Sequence, residues 1–152
     1  MFKFYNSYII LILLGVSCTS RLPETHEKLV EVIGRLNDDL SLNNFSTIVV
    51  LPVQGCSPCI ERTISFIENN KMNTEVLFIV VAKNKREWGH LFSSELFKNS
   101  NFLIDDQLLF MDYDLVQLFP VYFSKKNGYF SEKVEINGSN VQDVFEKIST
   151  QN

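Results

Sequence analysis

The stretch from Ile48 to Cys59 reads IVVLPVQGCSPC and joins an apolar run to two cysteines separated by two residues. The β-branched residues of the run predict a buried strand, and apolar residues at helical spacing after Cys59 predict a helix. The cysteine spacing lets the two sulfurs bond to each other, and a helix N-terminus stabilises a thiolate on Cys56. We expect Cys56 to be exposed at the helix start and Cys59 to be buried one turn later. The stretch therefore indicates dithiol–disulfide chemistry.

Two other interpretations of the cysteine pair are an inert structural disulfide and half of a zinc site. A zinc site needs about four ligands. The chain has two histidines, His26 and His90, which lie far from the pair in sequence, and it has no second CxxC motif. We therefore predict no metal and no cofactor beyond the dithiol, and we expect both histidines to be surface residues.

Length and composition predict one domain with a full core. The chain has 152 residues, 45% of them hydrophobic, and a net charge of −4. A domain of this size buries roughly two-thirds of its unfolded surface without disulfide staples, so the cysteines are free for another purpose. The Lys83–Arg86 run is the longest basic stretch, and we expect it to be a solvated loop. This charge pattern does not indicate nucleic acid binding.

The first seventeen residues are predicted to be an export signal. One lysine precedes the apolar run Tyr8–Leu14, and small residues then lead to Cys18. The run is too short for a transmembrane helix and is typical of a signal peptide. Its ending resembles a bacterial lipoprotein lipobox, in which the cysteine becomes the lipidated first residue, although Gly15 stands in place of the usual leucine. The alternatives are an ordinary signal peptide and an uncleaved anchor helix.

The predicted organisation is a signal peptide over residues 1–17, a tether over residues 18–25 and a domain over residues 26–152. Lipid on Cys18 leaves Cys56 and Cys59 as an even pair. On this interpretation the protein lies in the cell envelope, attached to a bacterial membrane on its extracytoplasmic side.

Apolar spacing predicts elements in the order α, β, α, β, α, β, a short helix, β, β, α. This order predicts an α/β fold with a mixed sheet between helix layers. Asn127-Gly128 predicts the turn of the closing hairpin. Other local expectations are a first helix reaching Leu40, a helix carrying Trp88, Leu91, Phe92 and Leu96, a strand end or helix cap at Asp105-Asp106, and a capping box of Ser139 with Gln142.

This order, the CSPC motif at residues 56–59 and the FPVYF segment at residues 119–123 resemble the thioredoxin fold over roughly residues 40–152. The export signal and the extra strand–helix segment resemble the membrane-anchored TlpA/ResA type of thiol-disulfide oxidoreductase. The resemblance implies a three-layer sandwich, a central mixed sheet flanked by helices. It also implies that Cys56 attacks or is attacked, that Cys59 resolves, and that a cis-proline at Pro120 faces the pair.

By the same resemblance, Phe119, Pro120, Ser57 and Pro58 hold the substrate chain. Partners would be thiol- or disulfide-bearing envelope proteins and a redox partner protein. Three positions depart from the family pattern, since Gln54-Gly55 replaces a tryptophan, Val50 replaces a buried acid, and Arg62 replaces a glutamate. The alternative function is a redox-inert thioredoxin-fold binding or assembly module with a structural disulfide.

Overall fold

A computed structural model describes residues 22–150 of the chain. The predicted signal peptide, the lipidation site Cys18 and the first part of the tether lie outside these residues, so they remain predictions. Within residues 22–150, no helix is both long enough and apolar enough to span a bilayer.

The centre of the fold is a mixed sheet of five strands in the spatial order β3-β2-β1-β4-β5. The strands β1, β2 and β3 are parallel, β4 is antiparallel to β1, and β5 is antiparallel to β4. Their bounds are Thr47–Pro52 for β1, Val76–Val81 for β2, Phe102–Asp105 for β3, Val121–Lys126 for β4 and Tyr129–Glu135 for β5.

Helices cover both faces of this sheet. Their bounds are Glu24–Leu36 for α1, Ser57–Asn70 for α2, Lys85–Trp88 for α3, Leu109–Asp112 for α4 and Val141–Thr150 for α5, with 3-10 turns at Leu42–Asn44 and Leu96–Lys98. One buried cluster joins Val49 and Leu51 of β1 to residues of α2 and α5. The other joins Ile48 and Val50 of β1 to α1 and α4.

Neighbouring β1 side chains therefore point into opposite clusters, as the alternation of a strand requires. A strand buried on both faces needs a continuous apolar run, which is what the sequence supplies. The predicted fold class is confirmed, an α/β three-layer sandwich of the thioredoxin-like kind.

The predicted helix that carries Trp88 and Leu96 is wrong, because the backbone there forms two short pieces. The first piece, α3, ends at Trp88, and the N–H of the following Gly89 donates to the Lys85 carbonyl at 2.8 Å. Further along, the Ser93 N–H donates to a carboxylate oxygen of Glu68 at 2.7 Å. A side chain from α2 thus satisfies a backbone donor that a continuous helix would have satisfied internally.

Two smaller expectations also fail. The helix α1 ends at Leu36, and Leu40 packs beyond it against the second cluster. The capping box is not formed, because the Ser139 hydroxyl donates to Asn137 Oδ1 at 2.6 Å and the Gln142 amide donates to Glu146 at 2.8 Å.

Candidate active site

The two cysteines lie at the carboxyl end of β1, where the chain enters α2. Cys56 is the N-cap residue of α2 and is half-buried, whereas Cys59 is 2% exposed. A disulfide joins them, with their Cα atoms 5.3 Å apart. The expected difference in burial is confirmed, so a partner molecule can reach Cys56 more readily than Cys59.

No described side chain caps the start of α2. Pro58 stands in the first turn, where its missing N–H costs the helix nothing. The Cys56 carbonyl accepts the Ile60 N–H at 2.9 Å, so regular helical bonding begins at once. The remaining unpaired N–H groups of the first turn are therefore available to a negative charge on the Cys56 sulfur.

The segment before β4 packs directly against the cysteine loop. The Cys56 N–H donates to the Leu118 carbonyl at 3.2 Å. Gly55 has a φ of 154°, and a Cβ added to it would overlap the Leu118 carbonyl. A residue with a side chain at position 55 would therefore push the two segments apart.

Gly55 and Leu118 were not identified from the sequence as site residues. The Leu118 carbonyl accepts the Cys56 N–H, and the side chain of Leu118 is 63% exposed. A glycine directly before the first cysteine is a visible signal for close backbone approach. Nothing local to Leu118 indicates its role, because its contact with Cys56 joins positions 62 residues apart in the sequence.

The four residues predicted to hold substrate lie at different depths. Ser57 and Pro58 are exposed, Phe119 is half-buried and Pro120 is buried. The Pro120 carbonyl accepts the Ile136 N–H at 2.6 Å, which ties this proline to the end of β5.

The expected cis bond at Pro120 is wrong, since every peptide bond of residues 22–150 is trans. The backbone contact with the cysteine loop comes instead from the Leu118 carbonyl, two residues earlier.

The other side of the cysteine loop is tied to α3 through Glu87. The Glu87 carboxylate accepts hydrogen bonds from the Gln54 amide at 3.3 Å and from the Lys83 N–H at 2.9 Å. A groove of about 360 Å³ begins beside Ser57 and runs along α2. Its apolar walls are formed by Val53, Ile60, Ile64 and Leu91.

Positions 50 and 62, where the family pattern has an acid, carry valine and arginine in this chain. Neither position therefore places a carboxylate in the core beside β1. Val50 is fully buried, while Arg62 and its neighbour Glu61 are exposed on α2. The Thr63 hydroxyl donates to the Cys59 carbonyl at 2.8 Å, which adds a polar contact to the backbone but no titratable group.

The remaining singled-out residues have structural roles. His90 is exposed and contacts the Arg86 carbonyl, and Trp88 packs edge-on against Phe97. The basic run is exposed as expected, but its second half lies in α3 rather than in a loop. His26 lies half-buried against Tyr129, and burial is the main cause that lowers its pKa. Within residues 22–150, no three His, Cys, Asp or Glu residues are grouped to hold a metal.

No protein-family model and no curated protein matches the chain. Similar solved structures include a conserved protein of unknown function from Bacteroides fragilis, with a TM-score of 0.42 and 10% identity over 74% of this chain and 83% of that one. Another is a candidate thiol-disulfide oxidoreductase from Bacteroides vulgatus, with a TM-score of 0.38 and 12% identity over 74% of this chain and 81% of that one. The geometry of the chain itself leads to the conclusion that a thioredoxin-like fold carries a close, redox-capable CxxC pair.

Proposed function

We propose that the protein is an extracytoplasmic thiol-disulfide oxidoreductase that exchanges disulfides with protein substrates through Cys56 and Cys59. The observation that carries the proposal is the asymmetry of the pair. Cys56 is the half-buried residue at an uncapped helix start, and Cys59 is buried within its disulfide reach. Such a pair can pass two electrons in either direction without another cofactor.

In the reducing direction, the Cys56 thiolate attacks a substrate disulfide and forms a mixed disulfide. The bond between the two substrate sulfurs breaks, and one leaves as a thiolate. Cys59 then loses its proton to solvent and attacks the Cys56 sulfur, which releases the second substrate thiolate. The substrate gains two electrons, the Cys56–Cys59 disulfide is formed, and a redox partner protein must reduce it again.

The helix start acts on both steps by stabilising the Cys56 thiolate. A thiol with a pKa of about 8.5 is roughly 3% ionised at pH 7, and one with a pKa of about 7 is roughly half ionised. This change raises the thiolate fraction ~16-fold. The gain is partly offset, because the nucleophilicity of the thiolate falls by about fivefold as its pKa falls from about 8.5 to about 7. The net gain in attack is about threefold, and Cys56 also becomes a better leaving group.

Protein substrates are favoured by the apolar surfaces on either side of Cys56. Leu118 is 63% exposed on one side, and the groove walled by Ile60 and Ile64 begins beside Ser57 on the other. A polypeptide lying across the CSPC turn can fill both surfaces, whereas a small thiol cannot.

The location in the envelope rests on the sequence of the N-terminal segment. Lipid on Cys18 would attach the domain to a bacterial membrane outside the cytoplasm, where disulfide exchange between envelope proteins takes place. Thiol- or disulfide-bearing envelope proteins are the proposed substrates.

The test is insulin reduction with dithiothreitol as electron donor. We expect turnover by the wild type and loss of turnover in both Cys56→Ser and Cys59→Ser. Cys59→Ser should also accumulate mixed disulfides with partner proteins in cells, because the second step is blocked. Cys18→Ser is the matched control, which keeps the redox pair and should retain exchange while losing membrane attachment.

Equal background activity in the wild type and both redox-pair variants would contradict the proposal. That result would instead support the redox-inert binding module, in which the disulfide only holds the first turn of α2 in place.

A further inference from the structure

The sheet has two ends with different surfaces. The redox pole is the end formed by the carboxyl ends of β1, β2 and β3, with Cys56 and Leu118. The opposite pole is formed by the amino ends of the same strands and by the β4–β5 turn. Register fixes this assignment, because Val50 of β1 pairs with Val121 at the start of β4, and Thr47 pairs with Ser124 further along. The β4–β5 turn therefore lies about 17 Å beyond Val121, at ~3.3 Å per residue.

The helix α1 begins at the opposite pole. The ring of His26, in its first turn, lies 5.2 Å from the ring of Tyr129, which starts β5 beside the turn. The Phe130 N–H also contacts His26 Nδ1 at 3.4 Å. The chain that precedes α1 therefore reaches the domain at the end of the sheet remote from the cysteines.

The segment from Cys18 to the start of α1 is short. Five residues lie between Cys18 and Glu24, so the six Cα–Cα steps that join them reach at most about 20 Å when fully extended. If Cys18 carries lipid, the opposite pole is held within this distance of the bilayer.

The opposite pole also exposes the side chains that a bilayer interface accepts. Of the five large hydrophobic side chains exposed in the described chain, three lie here: Leu22 at 39%, Tyr129 at 41% and Met72 at 80%. Met72 belongs to this pole because it lies in the turn that precedes β2. Aromatic rings and lysines are favoured at the level of lipid headgroups, and Lys126 is exposed next to the turn.

Charge at the opposite pole is nearly balanced. Glu24 is paired with Lys28 at 2.9 Å, and Lys125 donates to the Leu42 carbonyl at 2.8 Å. The exposed carboxylates of Glu27 and Glu75, the latter directly before β2, offset the charges of Lys126 and Lys125. Contact with the membrane would therefore come from apolar insertion rather than from attraction to anionic lipid.

We infer that the opposite pole rests on the bilayer interface through Leu22, Met72 and Tyr129, with the redox pole directed into the aqueous compartment. This inference rests on the lipid anchor of the proposed function. Its consequence is that Cys56 meets proteins that approach from the aqueous side rather than thiols at the membrane surface.

The experiment uses the full chain expressed in a bacterium, purified with its lipid and reconstituted into phosphatidylcholine vesicles. The single engineered cysteines Met72→Cys and Asp106→Cys are labelled with an environment-sensitive dye while Cys56 and Cys59 remain disulfide-bonded. Asp106 is exposed directly after β3, at the redox pole, so the two positions are a matched pair. We expect headgroup-level nitroxide lipid to quench the dye at position 72 several-fold more strongly than at position 106, with little dependence on salt.

Equal quenching at both positions, or stronger quenching at position 106, overturns the orientation and leaves the anchor intact. Mass spectrometry of the Cys18 peptide tests the anchor separately, and a peptide without lipid overturns the orientation together with the anchor. Insulin reduction by the same unlabelled preparation tests the redox function separately. Its outcome does not depend on the quenching result or on the mass spectrum of the Cys18 peptide.

Discussion

The helices α2 and α4 both begin at the redox pole, but their first turns are satisfied in different ways. At α4, the fully buried carboxylate of Asp105 accepts the N–H groups of Leu109 and Phe110 at 3.0 and 2.8 Å. At α2, Cys56 holds the cap position and no described side chain accepts the first N–H groups. The comparison shows that the fold caps a structural helix with a carboxylate and leaves the helix beside the disulfide open for a thiolate.

The largest expected effect comes from removing the cap of α4. Asp105→Ala leaves two buried N–H groups without acceptors, and we expect a loss of about 2–4 kcal/mol in the free energy of unfolding. Urea unfolding measures it. Asp106→Ala is the control, because Asp106 is exposed and should change stability by no more than about 0.5 kcal/mol. Equal losses in the two variants would show that the Asp105 cap does not stabilise α4.

A methyl group at position 55 should displace the loop that precedes α2, because that loop packs against the segment before β4. In Gly55→Ala the added Cβ overlaps the Leu118 carbonyl and the φ of 154° becomes strained, so we expect a loss of about 1–3 kcal/mol together with slower insulin reduction. Gly138→Ala is the matched control, since a Cβ there meets nothing within 4 Å. Unchanged stability and turnover in Gly55→Ala would contradict the proposed close approach of the two segments.

A carboxylate introduced at the start of α2 would make it resemble α4. Ser57→Asp should compete with the Cys56 thiolate for the first N–H groups and raise the pKa of its thiol above the wild-type value. The rate of alkylation at pH 7 should then fall about two- to fivefold, the effect of ~0.3–1 kcal/mol at a helix terminus. Iodoacetamide alkylation of the reduced protein across pH measures this change. Ser57→Asn is the neutral control, and identical pH profiles for the two variants would refute the account.

The smallest expected effect lies far from both helix starts, on β5. Lys147, and then Ser124, donate hydrogen bonds to the Glu132 carboxylate, which lowers its pKa below the usual 4.5. Its contribution to stability is therefore present above that pH and is lost as the pH falls through the lowered folded-state pKa. Because Glu132 is exposed, Glu132→Gln should cost only about 0.5 kcal/mol at pH 7.

Urea unfolding of Glu132→Gln at neutral and acidic pH tests this sign. The difference from the wild type should shrink in acid, and a difference that grows in acid would contradict it. Glu135→Gln, on the same strand and exposed, is the matched control for removing a carboxylate from β5.

The sequence predicted the sheet and the position of the cysteine pair at a helix start well, because both depend on residues that are neighbours in the sequence. The apolar runs of β1 and β2 are continuous, as strands buried on both faces require, and the CSPC motif carries its own spacing. Asp105 was also recognised as a strand end or helix cap, and its hydrogen bonds to α4 confirm this prediction.

The capping box fails for a local reason, because Ser139 bonds to Asn137 instead. Two other features that the sequence missed depend on contacts between distant segments. Glu68 interrupts the helix predicted around Trp88 by binding Ser93, which lies 25 residues away. The contact of Leu118 with Cys56 is likewise made only once β4 pairs with β1. Periodicity and capping rules describe neighbours in the sequence, so they cannot report such contacts.

The most direct test of the account is the alkylation of the reduced protein at pH 7 with peptide mapping of each cysteine. Half-buried Cys56 at the open helix start should react faster than an unfolded thiol, and Cys59, which is 2% exposed, should remain almost unmodified until the protein is denatured. Equal modification of the two cysteines, or faster modification of Cys59, would contradict the assignment of Cys56 as the attacking residue.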